Sequence, residues 1–380
     1  MPFQDFSQAK LITIVCQMDN LEFFTGDAFK LPFSLDSQLK EEYLLNALTL
    51  LNKHHFDNCT KYQKIINGFF NKSDIFDPKD LNGLPYLPVQ TFKSLDLSSV
   101  NKDEIVRTMT SSGTSGQEVS KIYLDKRTAF NQSKVLNQIV TNFIGTKKLP
   151  FYVIDSEETI KNRLNFSARG AGILGFSRFG RGRKFLLNND MSINLDLIDE
   201  ISENSKEKIL FFGFTFMIWQ HFLEELNRLN LRIELPNAIV IHGGGWKKLI
   251  DLNISNQLFK DSFKNYLGIN QVYNYYGMVE QTGSIFFECE HGKLHTPNFA
   301  DIIIRDPITF EPLPFNSKGL IQLISLLPSS YPGHSILTED LGTIHGEDNC
   351  HCGRMGKYFE VHGRIKNAEI RGCSDTYTNK

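Results

Sequence analysis

The sequence has no apolar run long enough to cross a bilayer. The longest run, residues 209–219, is 11 residues long and contains Gly213 and Thr215, whereas a transmembrane helix needs about 20 apolar residues. The N-terminus also lacks the basic region and apolar core of a signal peptide, because Gln4 and Asp5 stand at its start. We therefore expect a cytoplasmic protein without a transmembrane segment.

An excess of charge of either sign is also missing. Lys and Arg together number 41 and Asp and Glu 43, which gives a net charge of -2. This balance argues against a nucleic-acid binder, whose affinity would depend on a basic surface. Cysteine is sparse, with 6 in 380 residues, and predicts reduced thiols or metal ligands rather than a disulfide framework.

Short apolar runs alternate with helical segments over the middle of the chain. The runs that predict buried parallel strands are 151–154, 209–212 and 238–241, and the segments that predict helices are 38–70, 217–229 and 248–266. This alternation predicts a layered α/β sheet. After about residue 300 the runs are shorter, with Pro and Gly between them, and predict a small, mainly antiparallel β lobe.

A loop rich in hydroxyl groups and glycine is the strongest chemical signal. It consists of Thr110, Ser111, Ser112, Gly113, Thr114, Ser115 and Gly116. The glycines allow a tight turn that points backbone N–H groups at an anion, the hydroxyl groups add donors, and Lys121 adds positive charge. Such a loop suits the phosphates of ATP, although it lacks the Gly-Lys-Ser/Thr of a Walker loop. A surface turn is the alternative.

Later segments fit the same ligand. The glycine run Gly243, Gly244 and Gly245 follows a strand, and its bare backbone leaves room for an adenine ring. Tyr276 ends an aromatic strand that leads to Glu280, a candidate ligand for the Mg²⁺ that accompanies ATP.

Charged residues nearer the C-terminus complete the predicted nucleotide site. Asp340 is a candidate acceptor for the ribose hydroxyl groups, and Arg364 and Lys366 supply positive charge. Any one of these residues alone would be unremarkable, because an acidic residue in a turn is usually only solvated.

Together, in this order, the segments resemble the adenylate-forming superfamily of acyl- and aryl-CoA synthetases. Residues 276–280 are similar to its Tyr-Gly-x-Thr-Glu motif, and residues 338–340 to its Thr-Gly-Asp motif. Within the superfamily the sequence resembles the acyl-protein synthetases of bacterial luminescence fatty acid reductase complexes. That likeness lies in residues 84–93, 242–248, 276–290 and 371–373.

The resemblance implies a fold and a division of the chain. We expect the adenylate-forming N-terminal-domain type of fold, with layered α/β sheets, a small β lobe and no large C-terminal domain. The regions are a mainly helical N-terminal part (1–104), a nucleotide- and acyl-binding core (105–300), the β lobe (301–363) and a hinge-like C-terminal segment (364–380).

The resemblance also implies a two-step reaction. ATP and Mg²⁺ activate a long-chain fatty acid to an acyl-adenylate, and the acyl group passes to a cysteine and on to a partner fatty acyl reductase. Cys373, near the C-terminus, is the predicted acyl acceptor. Phe214 and Phe216 are candidates to line the acyl site, and His242 is a candidate to orient the carboxylate; a place in the core is the alternative for all three. An acyl- or aryl-CoA ligase and a non-catalytic nucleotide-binding scaffold remain alternatives.

Cysteine and histidine residues form a second candidate site. Cys289 and His295 precede the pair Cys350 and Cys352, with His291 also nearby. Three thiols and one imidazole form the ligand set of a structural zinc site. Unmetallated thiols packed in the β lobe are the alternative.

A glycine motif at residues 170–175 resembles a dinucleotide fingerprint. It fits Gly-x-Gly-x-x-Gly, but the residues before it do not form an apolar strand. Because the fingerprint requires that strand, nicotinamide binding is not expected.

Overall fold

The computed structural model describes residues 21–111, 119–161, 168–203, 206–245, 249, 252 and 254–365. The helices are α1 (Gly26–Lys30), α2 (Ser37–Asn58), α3 (Thr60–Phe69), α4 (Lys72–Phe76), α5 (Thr91–Ser94), α6 (Lys126–Ile144), α7 (Glu158–Lys161), α8 (Ala168–Phe176), α9 (Leu195–Glu203), α10 (Thr215–Ile218), α11 (Glu224–Arg228) and α12 (Asn256–Leu267). A π-helical segment, Trp219–Leu223, joins α10 to α11. None of the helices in these ranges combines the length and the apolar content that a bilayer crossing requires.

The strands are β1 (Leu87–Pro88), β2 (Ile105–Thr110), β3 (Lys121–Asp125), β4 (Leu149–Ser156), β5 (Gly180–Leu187), β6 (Leu210–Phe214), β7 (Ile239–Gly243), β8 (Gln271–Tyr276), β9 (Phe286–Glu288), β10 (Leu294–His295), β11 (Ala300–Arg305), β12 (Gly319–Ser325), β13 (Ser335–Glu347) and β14 (Lys357–Arg364). The chain folds as two compact units. Among the described residues, the first unit contains 21–111, 119–143 and 277–365, and the second lies within 144–276.

The second unit is built on a parallel sheet. Its strands lie in the order β8-β7-β6-β4-β5, and each neighbouring pair is parallel. Every residue of β6 and β7 is buried, which explains their continuous apolar sequences, because helices cover both faces of such sheets. The three parallel strands predicted from the sequence are confirmed.

Helices of the second unit differ from the sequence predictions in detail. The dinucleotide-like glycine motif lies within α8, a helix, rather than in a turn that follows a strand. Within the helix predicted over 248–266, the structure has α12 from Asn256 to Leu267, and the hydroxyl group of Ser255 accepts a hydrogen bond from the backbone N–H of Leu258 at 3.1 Å and caps it.

The first unit contains an antiparallel sheet in the order β11-β12-β13-β14-β10-β9, and β1 pairs with β13 in parallel. Strands β11 and β12 confirm the predicted antiparallel lobe. The N-terminal helix α2 is capped by Asp36, whose carboxylate accepts from the N–H of Leu39 at 2.9 Å. Its stripe of Leu44, Leu48 and Leu51 is fully buried. A separate antiparallel pair, β2 and β3, carries the loop discussed below.

Two stacked histidines lie in the core of the first unit. The rings of His55 and His334 have centroids 4.8 Å apart and planes within 19° of parallel. The nitrogens of His55 contact Ser99 Oγ at 2.8 Å and the carbonyl oxygen of Pro328 at 3.0 Å, and His334 Nε2 lies 2.6 Å from Asn52 Oδ1. Burial lowers the pKa of His334 to about 3 and the pKa of His55 well below its usual range.

We expect these histidines to make the fold acid-sensitive. Their pKa values are depressed on folding, so the unfolded chain binds more protons than the folded chain between pH about 6.5 and the folded-state pKa, which is about 3 for His334. The free energy of unfolding is therefore expected to fall by about 1.4 kcal/mol per pH unit for each histidine in that range. Urea unfolding at several pH values measures this slope, which His334→Gln should reduce by about one proton. An equal slope in the wild type and in His334→Gln would contradict the assignment.

Candidate functional site

The predicted phosphate loop connects the two strands of a β-hairpin, β2 and β3. Thr110 at the end of β2 pairs with Lys121 at the start of β3. The ladder continues into the loop: the N–H of Ser111 donates to the carbonyl of Ser120 at 3.1 Å, and the N–H of Ser120 donates to Ser111 Oγ at 2.9 Å. The two ends of the loop are thus held side by side. Its remaining residues, Ser112, Gly113, Thr114, Ser115 and Gly116, lie outside the described residues.

Lys121 lies at the foot of this loop as a surface cation. Its Nζ is 3.8 Å from Asp96 Oδ1, and both side chains are more than half exposed. Asp96 also accepts a hydrogen bond from the hydroxyl group of Tyr123 at 2.6 Å. That hydrogen bond lowers the pKa of Asp96, so its carboxylate is retained beside Lys121.

Glu280 is a buried carboxylate in a short 3₁₀ turn after β8. The residue is 4 % exposed, and its carbonyl accepts a hydrogen bond from the hydroxyl group of Tyr331 at 2.7 Å, which fixes the turn. Burial raises the pKa of Glu280, while the nearby Ser120 hydroxyl group and the charges of Lys93 and Arg364 act in the opposite direction. A hard oxygen ligand is therefore held beside the base of the loop.

Asp340 forms an ion pair with Arg364, another predicted site residue. It lies on β13 directly opposite Arg364 on β14, and Arg364 Nε is 3.4 Å from Asp340 Oδ1. Thr338 Oγ1 accepts a hydrogen bond from the N–H of Asp340 at 3.1 Å and donates to the carbonyl of Ile321 at 2.7 Å. The strand therefore fixes the backbone on both sides of this carboxylate.

The first unit thus brings together several residues that are far apart in the sequence. Arg364 contacts Asp340 and acts on the pKa of Glu280, which lies beside Ser120. Ser120 and Lys93 were not predicted as site residues. Lys93 lies within the family-like stretch at residues 84–93, which was the available signal for it. Lys366 and Cys373 lie outside the described residues.

The second unit holds the predicted glycine run at the end of β7. A Cβ atom on Gly243 would lie 2.4 Å from the ring of Tyr275, so only glycine fits there. Gly244 has a φ of +101°, a conformation that also favours glycine. Gly245 follows with open space where its Cβ would be, and Tyr276 ends the neighbouring strand β8.

His242 is a fully buried, neutral imidazole in this unit. Thr215 Oγ1 donates to the carbonyl of Gly243 at 3.1 Å, so His242 Nδ1, at 3.0 Å, must donate its proton to Thr215. Burial lowers the pKa of His242 to about 3. Phe214 is buried and Phe216 half-buried at the start of the following helix. The predicted substrate contacts of these three residues remain predictions.

The four predicted zinc ligands come together in the first unit. Ligand atoms of Cys289, His295, Cys350 and Cys352 all lie within 4.8 Å of one another. His291 is exposed and does not belong to this group. In a tetrahedral zinc site with Zn–S bonds of about 2.3 Å, sulfur atoms are about 3.8 Å apart. The residues therefore fit a closed Cys₃His site.

Two similar turns position these ligands. The N–H of Gly292 donates to the carbonyl of Cys289, and the N–H of Gly353 donates to the carbonyl of Cys350, each at 2.9 Å. Both glycines have positive φ, +73° and +76°. The two turns present their cysteines to a common centre, as a metal site built from two loops requires.

Hydrogen bonds among the candidate ligands affect the pKa values of their thiol groups. Cys352 Sγ lies 3.3 Å from His295 Nε2. A hydrogen bond from the Cys289 thiol, with a contribution from His295, lowers the pKa of Cys352 to about 2, and the same hydrogen bond raises the pKa of Cys289. The direction of this shift favours the thiolate form of Cys352, which is the form that binds metal.

Comparison with known proteins shows which family the chain resembles. The family model described as acyl-protein synthetase, LuxE, matches residues 6–380. The long-chain-fatty-acid–luciferin-component ligase of Aliivibrio fischeri is 27 % identical over 389 residues, which covers 96 % of this chain and 94 % of that protein. The ligase of the same name from Vibrio harveyi is 24 % identical over 311 residues, or 78 % of each chain.

A solved structure shares the fold. The open conformation of 2-hydroxyisobutyryl-CoA ligase, in complex with 2-HIB-AMP and CoA, matches with a TM-score of 0.67 at 15 % identity, and covers 90 % of this chain and 79 % of that chain. This confirms the predicted fold class. The match of the family model over nearly the whole sequence shows that the chain belongs to the LuxE family of acyl-protein synthetases.

Proposed function

We propose that this protein activates a long-chain fatty acid with ATP and transfers the acyl group to its own Cys373. In the first step a carboxylate oxygen attacks the α-phosphorus, the bond to the β-phosphate oxygen breaks, and pyrophosphate leaves. In the second step the Cys373 thiolate attacks the acyl carbon, a thioester forms, and AMP leaves. A partner fatty acyl reductase would then take the acyl group from Cys373, which leaves the Cys373 thiol free, and would reduce it to the aldehyde with a hydride donor bound to that partner.

One observation carries the proposal. The buried carboxylate of Glu280 lies beside Ser120, at the base of the hydroxyl-rich loop, and within the influence of Arg364, which is paired with Asp340. A carboxylate is costly to bury unless cations or hydrogen-bond donors compensate it. The metal ion of a bound nucleotide would compensate the charge of this carboxylate. A loop that served only as a surface turn would not require a buried carboxylate beside it.

Each residue has a role in the first step, which needs positioning and charge stabilisation more than covalent help. The loop N–H groups and Lys121 would bind the phosphates, and Asp340 would accept hydrogen bonds from the ribose hydroxyl groups. Glu280 would hold Mg²⁺, which neutralises phosphate charge when bound. The glycine run would lie against the adenine, with Tyr276 beside it, and Arg364 and Lys366 would stabilise the negative charge that develops at the α-phosphate.

The test is pyrophosphate release measured with fatty acids of several chain lengths, with and without coenzyme A. We expect release that requires fatty acid but not coenzyme A, together with an acyl group covalently attached to the protein. Turnover that needs coenzyme A and leaves the protein unlabelled would identify a CoA ligase instead. No adenylate with any carboxylic acid would favour a non-catalytic scaffold.

We also propose that the Cys₃His group holds a structural zinc ion. The ligand spacing and the lowered pKa of Cys352 support this. Bound zinc would link the β9–β10 turn to the β13–β14 turn, because Cys289 and His295 come from the first region and Cys350 and Cys352 from the second.

Zinc removal should therefore destabilise the first unit. We expect about one zinc ion per chain by elemental analysis of the purified protein, as a closed site requires. Cys352→Ser should lose the metal and unfold at a lower temperature, whereas His291→Ala should keep it, because His291 lies outside the group. Less than about 0.2 zinc per chain in the wild type would refute the site, since closed sites bind stoichiometrically.

A further inference from the structure

A cavity of about 630 Å³ opens in the first unit, away from the residues assigned above. One wall is apolar and comes from β11, β13 and the chain between β11 and β12, with Ile302, Ile304, Leu313, Phe315 and Ile344. None of the residues that line the cavity belongs to the proposed nucleotide or zinc site. Its volume falls within the range of about 300–1,000 Å³ that small-molecule sites occupy.

The lining also contains a buried ion-pair network. Asp301 lies between two lysines, with Lys40 Nζ 3.4 Å from one carboxylate oxygen and Lys357 Nζ 2.8 Å from the other. Lys40 also donates to Thr296 Oγ1 at 2.7 Å, and Lys357 donates to the carbonyl of Ile302 at 3.1 Å. Both lysines and Asp301 therefore have partners inside the protein and offer little binding capacity to a ligand.

Glu347 differs from these residues. It lines the same cavity, is half-buried, and lies opposite Lys357 in the β13–β14 register. No hydrogen bond to its carboxylate is found within the described ranges. Burial, together with the negative charge of Asp301, raises its pKa, while the charges of Lys357 and Lys40 act in the opposite direction. A donor placed in the cavity would supply the hydrogen bond that this carboxylate lacks.

Among the charged groups of the lining, Glu347 is the one that a ligand can pair with. Asp301 is held between Lys40 and Lys357, and Glu41 is exposed to solvent. A carboxylate or phosphate ligand would be repelled by Glu347, whereas a cation would supply the donor that this carboxylate lacks. The apolar wall requires that the rest of the ligand be hydrocarbon.

We propose that this cavity binds a small amphipathic molecule whose protonated amine donates to Glu347 and whose hydrocarbon part packs against Leu313, Phe315 and Ile344. The site is distinct from the acyl-transfer chemistry and does not depend on it. The ligand class is a primary amine on an apolar chain or ring.

Three probes of equal length separate the possibilities. Hexylamine, which is protonated at neutral pH, 1-hexanol and hexanoate are titrated into the full-length protein and followed by calorimetry. We expect saturable binding of hexylamine that is at least about tenfold tighter than that of hexanol, because a hydrogen bond to a charged group favours the amine. Equal binding of all three, preference for hexanoate, or no saturable binding would overturn the proposal.

Variants in the polar part and in the apolar part of the lining test whether the ligand binds in this cavity. Glu347→Gln should weaken hexylamine binding at least about tenfold and leave hexanol binding unchanged. Leu313→Trp should abolish binding of both by filling the cavity. Glu42→Gln removes the same charge from the same helix as Glu41 but lies outside the lining, and should bind like the wild type. Hexylamine binding that is retained in both Glu347→Gln and Leu313→Trp, or lost in Glu42→Gln, would contradict the assignment.

Discussion

Replacement of Cys373 by serine is expected to abolish covalent acyl labelling while leaving fatty-acid-dependent adenylate formation within about twofold of the wild type. A serine hydroxyl group is a far weaker nucleophile than a thiolate at neutral pH and has no base assigned to activate it. Adenylate formation requires only the nucleotide residues, so the first step should continue. Intact-protein mass spectrometry after incubation with ATP and fatty acid measures the label directly.

The matched control for this variant is Cys59→Ser. Cys59 is buried between α2 and α3 and precedes the first residue of α3, a position that serine suits. This variant should label like the wild type. Labelling that persists in Cys373→Ser would show that another thiol accepts the acyl group.

Replacement of Glu280 by glutamine is expected to lower pyrophosphate release by about 10²–10³-fold, the typical cost of one charge-stabilising group. The same change should raise the free energy of unfolding. The folded-state pKa of Glu280 is raised by burial, so ionisation of this carboxyl group at neutral pH opposes folding. An isosteric neutral side chain removes that cost.

The pH dependence of stability distinguishes this explanation from a simple packing effect. The stabilisation by Glu280→Gln should be full above the folded-state pKa and should vanish as the pH falls below the ordinary glutamate value, because the wild-type carboxyl group is then neutral in both states. Chemical denaturation at neutral and acidic pH measures it. Glu311→Gln, which removes a charge from an exposed loop, should change neither property. Loss of both activity and stability in Glu280→Gln would instead indicate a structural role.

The parallel strands and the cluster of cysteine and histidine side chains could be predicted from the sequence for different physical reasons. Strands such as β6 and β7 are buried on both faces, and this forces continuous apolar runs that local inspection detects. The candidate metal cluster stands out because three of its four members are cysteines, and cysteine is rare in this chain.

Other features depend on contacts that no local pattern reveals. Lys40 lies in the first turn of a helix, where a lysine is normally exposed, but it is 2 % exposed because it meets Asp301, 261 residues away in the sequence. The approach of Ser120 to Glu280 likewise arises only when the hairpin and the 3₁₀ turn pack together. Serine is too common in surface turns for its position in the sequence to predict this role.

The dissociation constant for ATP, measured by calorimetry for the wild type and for Asp340→Asn, tests the central claim most directly. If Asp340 accepts the ribose hydroxyl groups, the variant should bind ATP about 10–100-fold more weakly, the equivalent of losing a hydrogen bond to a charged group. Equal affinity of the two proteins for ATP would show that the pair of Asp340 and Arg364 lies outside the nucleotide site.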